Sequence, residues 1–350
     1  MLRLFDYIKN GKTYIIAEMS GNHGGKIEKA LEIIYAAHEA GADCVKIQTY
    51  TADTITINCH NEEFKCGKGL WEGMYLYDLY SVAYTPWEWT SKLKSETESL
   101  GMDFLSTPFD FTAVDYLEKC NLEFYKIASM EIVDLPLIKK VALTGKPVVM
   151  SCGMASIDEI QEAIDVFRKH SKAGIVLLKC CSAYPSNYDD MNISTIPDMI
   201  KRFGTHVGLS DHSSGSIASI TAVAVGACVI EKHFCISKSD NTVDSAFSLD
   251  KYEFKELVND IRNTEKSLGS PIYGCANGEK GSLNSRRSLY AVKDIKMGER
   301  FTSENVRSIR PANGMHTRYY DYLIENCHAK CDINFGTPLA KEMVIEELKL

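Results

Sequence analysis

The 350-residue chain contains no apolar run approaching the roughly 20 residues that a membrane-spanning helix requires. Its start, M-L-R-L-F-D-Y-I-K-N, is too short and too charged for an export signal, so a cytoplasmic location is expected. No C-x-x-C pair occurs among the 12 cysteines. Several of them (Cys44, Cys180, Cys228) lie in strand-like apolar runs, where a reduced thiol acts as a small hydrophobe, and the adjacent Cys180 and Cys181 cannot readily bridge. This favours reduced thiols over a disulfide scaffold. An excess of positive charge is also missing. The formal net charge of −8 argues against a nucleic-acid or anionic-membrane surface, and an enzyme for anionic substrates would then need cations inside its site. A glycine-rich G-x-G-x-x-G turn is absent too. The first strand is followed by G-N-H-G-G, a poor match that counts against a doubly wound open sheet.

What is present is an ordinary globular composition, 45% hydrophobic and 25% charged, in a chain long enough for one large and one small domain. Short apolar runs alternate with helical patterns. Tyr14–Met19 precedes a helix over Lys26–Glu39, and Cys44–Gln48 leads through a long excursion to a helix over Pro86–Leu100. Asp103–Ser106 precedes Thr112–Lys119, Glu123–Ala128 precedes Pro136–Leu143, and Pro147–Ser151 precedes Ser156–His170. Ile175–Cys180 precedes Ile193–Arg202. The last two runs, V-G-L-S-D-H and C-V-I-E-K-H-F, flank a small-residue helix and are closed by a helix over Leu249–Leu268. Eight strand–helix pairs in about 265 residues fit a (β/α)8 barrel. Continuous rather than alternating apolar runs fit strands covered on both faces.

The barrel is expected to occupy residues 1–268. Gly269–Ser285, with four glycines, one proline and two asparagines, reads as a linker. Residues 286–350 then form a small β-rich domain. The insertion between the second strand and its helix, Thr49 to Thr85, is too long for a simple loop and carries Trp71, Tyr75, Tyr77, Tyr80 and Tyr84. Such a segment reads as a structured wall of an active site.

A barrel's catalytic groups come from the carboxyl ends of its strands. Those ends supply Glu18; Lys46 and Gln48; Thr107; Lys126, Ser129 and Glu131; Ser151; Ser182 and Tyr184; Ser210 and His212; and His233. His212 and His233 come from neighbouring strands, so two imidazoles can approach one cation and leave its other positions to water and substrate. Two unrelated polar histidines are the plain alternative. Lys46 and Lys126 sit inside apolar strands, where an unpaired ammonium is costly, so each either pairs internally or awaits an anion. The nearby hydroxyls of Thr107, Ser129, Ser151 and Ser210 favour a phosphate or carboxylate ligand. Glu18 is a candidate acid or base, or else a buried partner of one lysine. Lys179 offers Schiff-base chemistry, with outward snorkelling as its ordinary alternative. His23 could line the mouth but reads first as an exposed loop histidine, and Trp87 and Trp89 read as packing at a helix start rather than as ligand stacking.

Together, I-I-A-E-M-S-G-N-H-G-G, V-K-I-Q-T-Y, F-L-S-T-P-F-D, Y-K-I-A-S-M-E-I, G-L-S-D-H, E-K-H-F and I-R-P-A-N-G resemble the sialic acid (nonulosonic acid) synthase family over essentially the whole length. The phrases Q-T-Y-T-A-D-T-I-T, L-Y-D-L-Y and A-Y-T-P-W-E-W are most similar to the pseudaminic acid synthases within it. The resemblance implies a (β/α)8 barrel followed by a C-terminal antifreeze-like (SAF) domain. It implies condensation of phosphoenolpyruvate with 2,4-diacetamido-2,4,6-trideoxy-altrose, with the neuraminate and legionaminate synthases as alternatives. It also implies a divalent cation, Mn2+ or Mg2+ and possibly Co2+, on His212 and His233. Lys46, Thr107, Lys126, Ser129, Ser151, Ser182 and Ser210 would hold phosphoenolpyruvate. Ser182 lies in C-C-S-A-Y-P where the neuraminate enzymes commonly read H-C-T-N-x-Y-P. Gln48, Glu131, Tyr184 and Asp244 would contact the sugar, and Arg310 matches an arginine inserted into the partner's site of a domain-exchanged homodimer. Two other readings stand beside this one: a Schiff-base aldolase using Lys179, and an ice- or glycan-binding protein built on the C-terminal module.

Overall fold

The computed structural model describes residues 3–67 and 69–346. Lys68 of the insertion and the last four residues of the C-terminal domain lie outside the described residues. The chain divides into two units, Met1–Gly269 and Ser270–Leu350.

The first unit is a closed barrel of eight parallel strands in sequence order. These are β1 (Tyr14–Glu18), β2 (Cys44–Thr49), β3 (Asp103–Pro108), β4 (Tyr125–Ile127), β5 (Val148–Ser151), β6 (Ile175–Cys180), β7 (His206–Asp211) and β8 (Val229–His233). The expected (β/α)8 architecture is therefore observed, with boundaries shifted by a residue or two. The one larger shift is at Pro86–Leu100. There a short 3-10 turn at Trp87–Trp89 precedes an α-helix that begins only at Thr90. Among the elements not anticipated is the helix Arg3–Lys9. Its Leu4 is buried, and Leu4 and Phe5 pack against the apolar floor of the barrel interior.

Strand alternation sorts side chains into two sets. Ile15, Val45, Phe104, Ile127, Met150, Leu177 and Leu209 belong to the larger core between strands and helices. Tyr14, Ile16, Cys44, Leu105, Phe124, Val149, Val176, Leu178 and Val229 form the inner cluster. The helices supply matching stripes. In Ile157–His170 the buried residues Ile160, Ala163, Ile164 and Phe167 follow helical spacing. Ser156 and Glu159 close its start as a reciprocal capping box, and Arg168, Lys169 and His170 occupy its last turn. Burying each large side chain of such a stripe contributes about 1.5–3 kcal/mol.

Above the inner cluster the same inward parity continues in polar residues, Glu18 above Ile16, Lys46 above Cys44, Lys126 above Phe124 and Glu231 above Val229. The apolar floor thus ends abruptly at a charged layer. One position shows how tightly the interior closes. A Cβ on Gly208 would collide with the Val229 carbonyl and lie 2.7 Å from the Val229 Cβ and 2.8 Å from the Leu178 Cδ2.

The second unit contains two antiparallel pairs. β9 (Ser288–Ala291) pairs with β10 (Val306–Ile309), and β11 (Cys327–Ala329) with β12 (Val344–Glu346). Its core gathers Leu289, Ile295, Phe301, Val306, Leu323, Ile333 and Leu339. Before β9, the stretch Asn277–Ser285 winds as 3-10 helix with no buried residue. Among the described residues, no helix is long and apolar enough to cross a membrane.

Gly208→Ala should lower the midpoint of urea unfolding by about 1–3 kcal/mol of stability, because the added methyl meets backbone and two neighbouring side chains that cannot withdraw. An unchanged midpoint would show that β7 and β8 can part without cost.

Candidate active site

At the carboxyl ends of the strands, two lysines and two carboxyls share one enclosed layer. Register sets Glu18 of β1 opposite Lys46 of β2, and Ser210 of β7 opposite Glu231 of β8. The Lys46 Nζ forms an ion pair with the Glu18 Oε2 and lies 3.5 Å from the Glu231 Oε2. It also donates to the Thr107 hydroxyl at 3.4 Å. The Lys126 Nζ donates to the Ser151 hydroxyl at 2.7 Å and lies 3.7 Å from the Glu231 Oε1. Ser210 donates to that same oxygen at 2.9 Å. All four ionisable side chains are almost wholly buried.

Environment drives the two carboxyls apart. Burial opposes ionisation of Glu231, but Lys126 and Lys46 overcome it and hold its pKa down at about 2. Glu18 is raised to about 7 by burial, and the nearby Glu231 charge adds to the rise while Lys46 opposes it. Burial also lowers Lys126, helped by Lys46 and opposed by Glu231. Lys46 is raised despite burial, because Glu18 and Glu231 both stabilise its charge. The cage therefore keeps one carboxylate ionised between two ammonium groups, while its second carboxyl can carry a proton near neutral pH. Its balance favours an incoming anion.

Hydroxyls converge on the same layer. Gly153 donates its N–H to the Ser129 hydroxyl at 3.1 Å, and a Cβ at Gly153 would run into the hydroxyls of both Ser182 and Ser129. A bare backbone thus holds these two serines together. Above them, the His212 and His233 ring centroids are 5.3 Å apart. The Nδ1 of His212 lies 2.9 Å from the Cys181 carbonyl, which fixes a proton there. Despite burial, Cys180, that carbonyl and Glu231 raise the pKa of the ring, so Nε2 offers a lone pair only once the ring gives up its second proton. His233 is kept neutral by burial and by the nearby positive groups, and its buried Nδ1 has no hydrogen-bond partner. Two imidazoles, one oriented by a carbonyl and one kept neutral with an orphaned nitrogen, fit a divalent cation. Among the described residues no cluster of three or more His, Cys, Asp or Glu could hold a metal, so water and substrate would complete its coordination.

A cavity of about 420 Å3 opens beside this layer, lined by Gln48, Glu131, Tyr184, His233 and Asp244 on its polar side. The Tyr184 ring lies 4.3 Å from that of His212. Asp244 accepts from the Gly21 N–H at 3.2 Å. Ile55, Trp71, Leu76, Leu79 and Tyr80 of the insertion make much of the apolar side, joined by Phe109, Met130 and Phe247. The insertion is anchored at several points. Trp71 donates to the Val243 carbonyl at 3.3 Å and Trp87 to the Tyr50 carbonyl at 3.0 Å. His23 is buried rather than exposed. Its Nε2 lies 3.1 Å from the Thr85 hydroxyl, so it joins the turn after β1 to the end of the insertion.

Of the residues singled out in the sequence, the barrel brings together Glu18, Lys46, Gln48, Thr107, Lys126, Ser129, Glu131, Ser151, Ser182, Tyr184, Ser210, His212, His233 and Asp244. Two stand apart. Arg310 is exposed at the end of β10 in the second unit. Lys179 has the opposite parity to the inward Leu178 and Cys180, and its Nζ bonds the Cys180 carbonyl at 2.9 Å. Sequence reading missed Glu231 and Gly153. Glu231 was detectable, since it lies two residues before His233 and shares its face. Gly153 gave no signal among the other loop glycines.

Burial raises Glu131 to about 7, against the pull of Lys126, and its Oε2 has no partner. The folded protein therefore binds a proton more tightly than the unfolded chain, and stability falls as pH rises from 4.5 to about 7. Glu131→Gln should raise the melting temperature at pH 8 and leave it nearly unchanged at pH 4. Equal shifts at both pH values would contradict this account of the carboxyl.

The cage, the paired imidazoles and the neighbouring cavity have counterparts to seek in known proteins. The NeuB family pattern matches residues 33–273, most of the barrel, and the SAF domain pattern matches residues 286–345. The chain is 42% identical over 341 residues to the pseudaminic acid synthase of Campylobacter jejuni subsp. jejuni serotype O:23/36, covering 97% of this chain and 98% of that protein. It is 40% identical over 336 residues to the pseudaminic acid synthase of Helicobacter pylori, covering 95% and 98%. Among solved structures, the N-acetylneuraminic acid synthetase of Leptospira borgpetersenii serovar Hardjo-bovis, in complex with citrate, superposes with a TM-score of 0.69 at 31% identity, covering 77% of this chain and 90% of that one. With a family match across most of the barrel and a near full-length likeness to these synthases, this chain is a member of the NeuB family that carries a C-terminal SAF domain.

Proposed function

We propose that this chain is a pseudaminic acid synthase, joining phosphoenolpyruvate and water to 2,4-diacetamido-2,4,6-trideoxy-altrose with release of phosphate. The observation that carries the reading is the enclosed cage of Lys46 and Lys126, whose partner Glu18 holds a proton near neutrality. Such a cage suits a small, highly charged anion. The near full-length likeness to two pseudaminic acid synthases supports the choice of acceptor. So does the apolar wall of the insertion, which suits acetamido methyls and a deoxy carbon better than a hydroxyl-rich chain.

In this mechanism Lys46 and Lys126 bind the phosphate and carboxylate of phosphoenolpyruvate, with the hydroxyls of Thr107, Ser129, Ser151, Ser182 and Ser210 completing its hydrogen bonds. Gln48, Glu131, Tyr184 and Asp244 orient the open-chain sugar so that C3 of phosphoenolpyruvate faces its aldehyde carbon. A divalent cation on His212 and His233, Mn2+ or Mg2+, would polarise the aldehyde oxygen as a Lewis acid. As the new carbon–carbon bond forms, positive charge develops at C2, where Glu231 offers the fixed negative charge. Glu18 manages the proton as water adds at C2. The tetrahedral carbon then breaks its bond to the phosphate oxygen, and the lysines hold the departing phosphate.

We further propose that Arg310 of the partner subunit completes the sugar site in a domain-exchanged homodimer. Its exposure and its match to the family's inserted arginine support this. A cytoplasmic location is proposed on the same footing, since phosphoenolpyruvate is an intracellular metabolite and, among the described residues, no cysteine is in a disulfide.

Phosphate release from phosphoenolpyruvate, measured with a panel of amino sugars, tests the assignment. Turnover is expected with the altro-configured diacetamido sugar, with 18O from the bridging position appearing in phosphate. Turnover with N-acetylmannosamine or the legionaminate precursor alone would reassign the acceptor. Exhaustive chelation should abolish turnover and Mn2+ should restore it. Full activity after chelation would remove the cation from the mechanism.

A further inference from the structure

β7 and β8 each place one residue between two inward-facing ones. Ser210 and His212 face the interior from β7, as do Glu231 and His233 from β8. The intervening Asp211 and Lys232 stand opposite each other in register, on the outer face of the barrel. Both side chains are buried, at 0% and 1% exposure, and the Lys232 Nζ lies 2.9 Å from the Asp211 Oδ2. Neither side chain enters the cage or the cavity described above.

All but one of their remaining bonds close on Ser213, the residue after His212. The Asp211 Oδ1 accepts from the Ser213 N–H at 2.8 Å and from its hydroxyl at 2.7 Å. The Asp211 Oδ2 also accepts from Ser219 at 2.6 Å, which ties it to the helix Ile217–Ala224. Lys232, the residue before His233, donates to the Ser213 carbonyl at 2.5 Å. The residue after His212 is thus held through its N–H, its hydroxyl and its carbonyl, from both strands that bear the histidines.

A purely stabilising role explains this poorly. A buried ion pair is often no better for stability than apolar residues of the same volume. Apolar residues could fill the space but could not grip the N–H and the carbonyl of Ser213 together. We propose that Asp211 and Lys232 form a positioning clamp that fixes the spacing of His212 and His233 and so sets the affinity of the cation site. The inference rests on the reading that these histidines hold a divalent cation. Asp211 and Lys232 act through their neighbours and touch no substrate.

The test is a titration of the full-length protein with Mn2+ alone, followed by electron paramagnetic resonance, beside a separate measurement of phosphoenolpyruvate binding. In the Asp211→Asn/Lys232→Met double variant no unpaired charge is left buried. Its Mn2+ dissociation constant should rise about ten- to a hundredfold, the usual effect of losing groups that orient metal ligands. Phosphoenolpyruvate binding should stay at the wild-type level. Asp43→Asn/Arg262→Met removes a 2.9 Å ion pair at the opposite end of the strands and should lower the melting temperature without changing Mn2+ binding. Ser219→Ala deletes one hydroxyl that holds Asp211. It should weaken Mn2+ binding in the same direction, and it decides the matter if the double variant fails to fold. Wild-type Mn2+ affinity in the folded clamp variants would overturn the clamp alone. Wild-type protein that binds no Mn2+ would overturn the cation reading and the clamp with it.

Discussion

The organisation of the barrel depends on one constraint, that four ionisable side chains share a layer almost closed to water. Each buried ion carries a penalty of several kcal/mol, or about that order, unless it is paired and fully hydrogen-bonded. Lys46 and Lys126 meet this condition through Glu18, Glu231, Thr107 and Ser151. The apolar floor beneath them, plugged by the helix Arg3–Lys9, excludes water from below and strengthens every charge interaction above it. Floor and cage are therefore one device. Without the floor the lysines would be solvated and weak, and without the carboxyls they could not be buried.

The cavity beside the cage depends on chain segments that lie outside the barrel strands, among them the helix Leu76–Ala83 of the insertion. The turn after β1 is the point where they meet. Its Asn22 donates to the Phe234 carbonyl and to Ser248, while His23 reaches Thr85 at the far end of the insertion. Ser20 there adopts a left-handed backbone, φ 45°, and donates its N–H to Glu18. The proton-holding carboxyl is thus fixed by the same turn that gathers the loop after β8 and the insertion into one wall. Disturbing the wall should then reach Glu18 through covalent neighbours, without any contact to substrate.

How much of this could be read from the residues follows from the reach of each signal. The barrel was legible because eight runs of continuous apolar character leave few alternatives once their spacing is counted. The lysines stood out because an ammonium inside V-K-I-Q or Y-K-I-A has no cheap place to go. The helix Arg3–Lys9 was not legible, since its value lies in Leu4 and Phe5 meeting the barrel floor, a contact between distant parts of the chain. His23 was misjudged for the same reason. In G-N-H-G-G it looks like a loop residue, and its burial is explained only by distant partners, Thr85, 62 positions later, and Trp89, whose ring it meets edge-on. Glu231 shows a different kind of miss. The run V-I-E-K-H alternates, so the parity that sends His233 inward also sends Glu231 inward and Lys232 outward, and reading the histidine as the end of an apolar run hid this.

Glu18 and Glu231 have the same side chain in the same layer, yet only one can serve as a proton carrier. The difference is the number of cations each one faces. Glu231 lies between Lys46 and Lys126 and also accepts from Ser210, so its charge is fixed. Glu18 has one lysine as a close partner and feels the fixed charge of Glu231, so its ionisation is opposed. Had both carboxyls been fully ionised, two negative charges would cancel two positive ones, and nothing would draw a phosphate into the layer. Splitting their pKa values leaves a net positive site that can bind an anion, and it leaves a proton beside that anion. Under the proposed function, anion binding and proton transfer would both come from one asymmetry, set by placing Glu231 rather than Glu18 between the lysines.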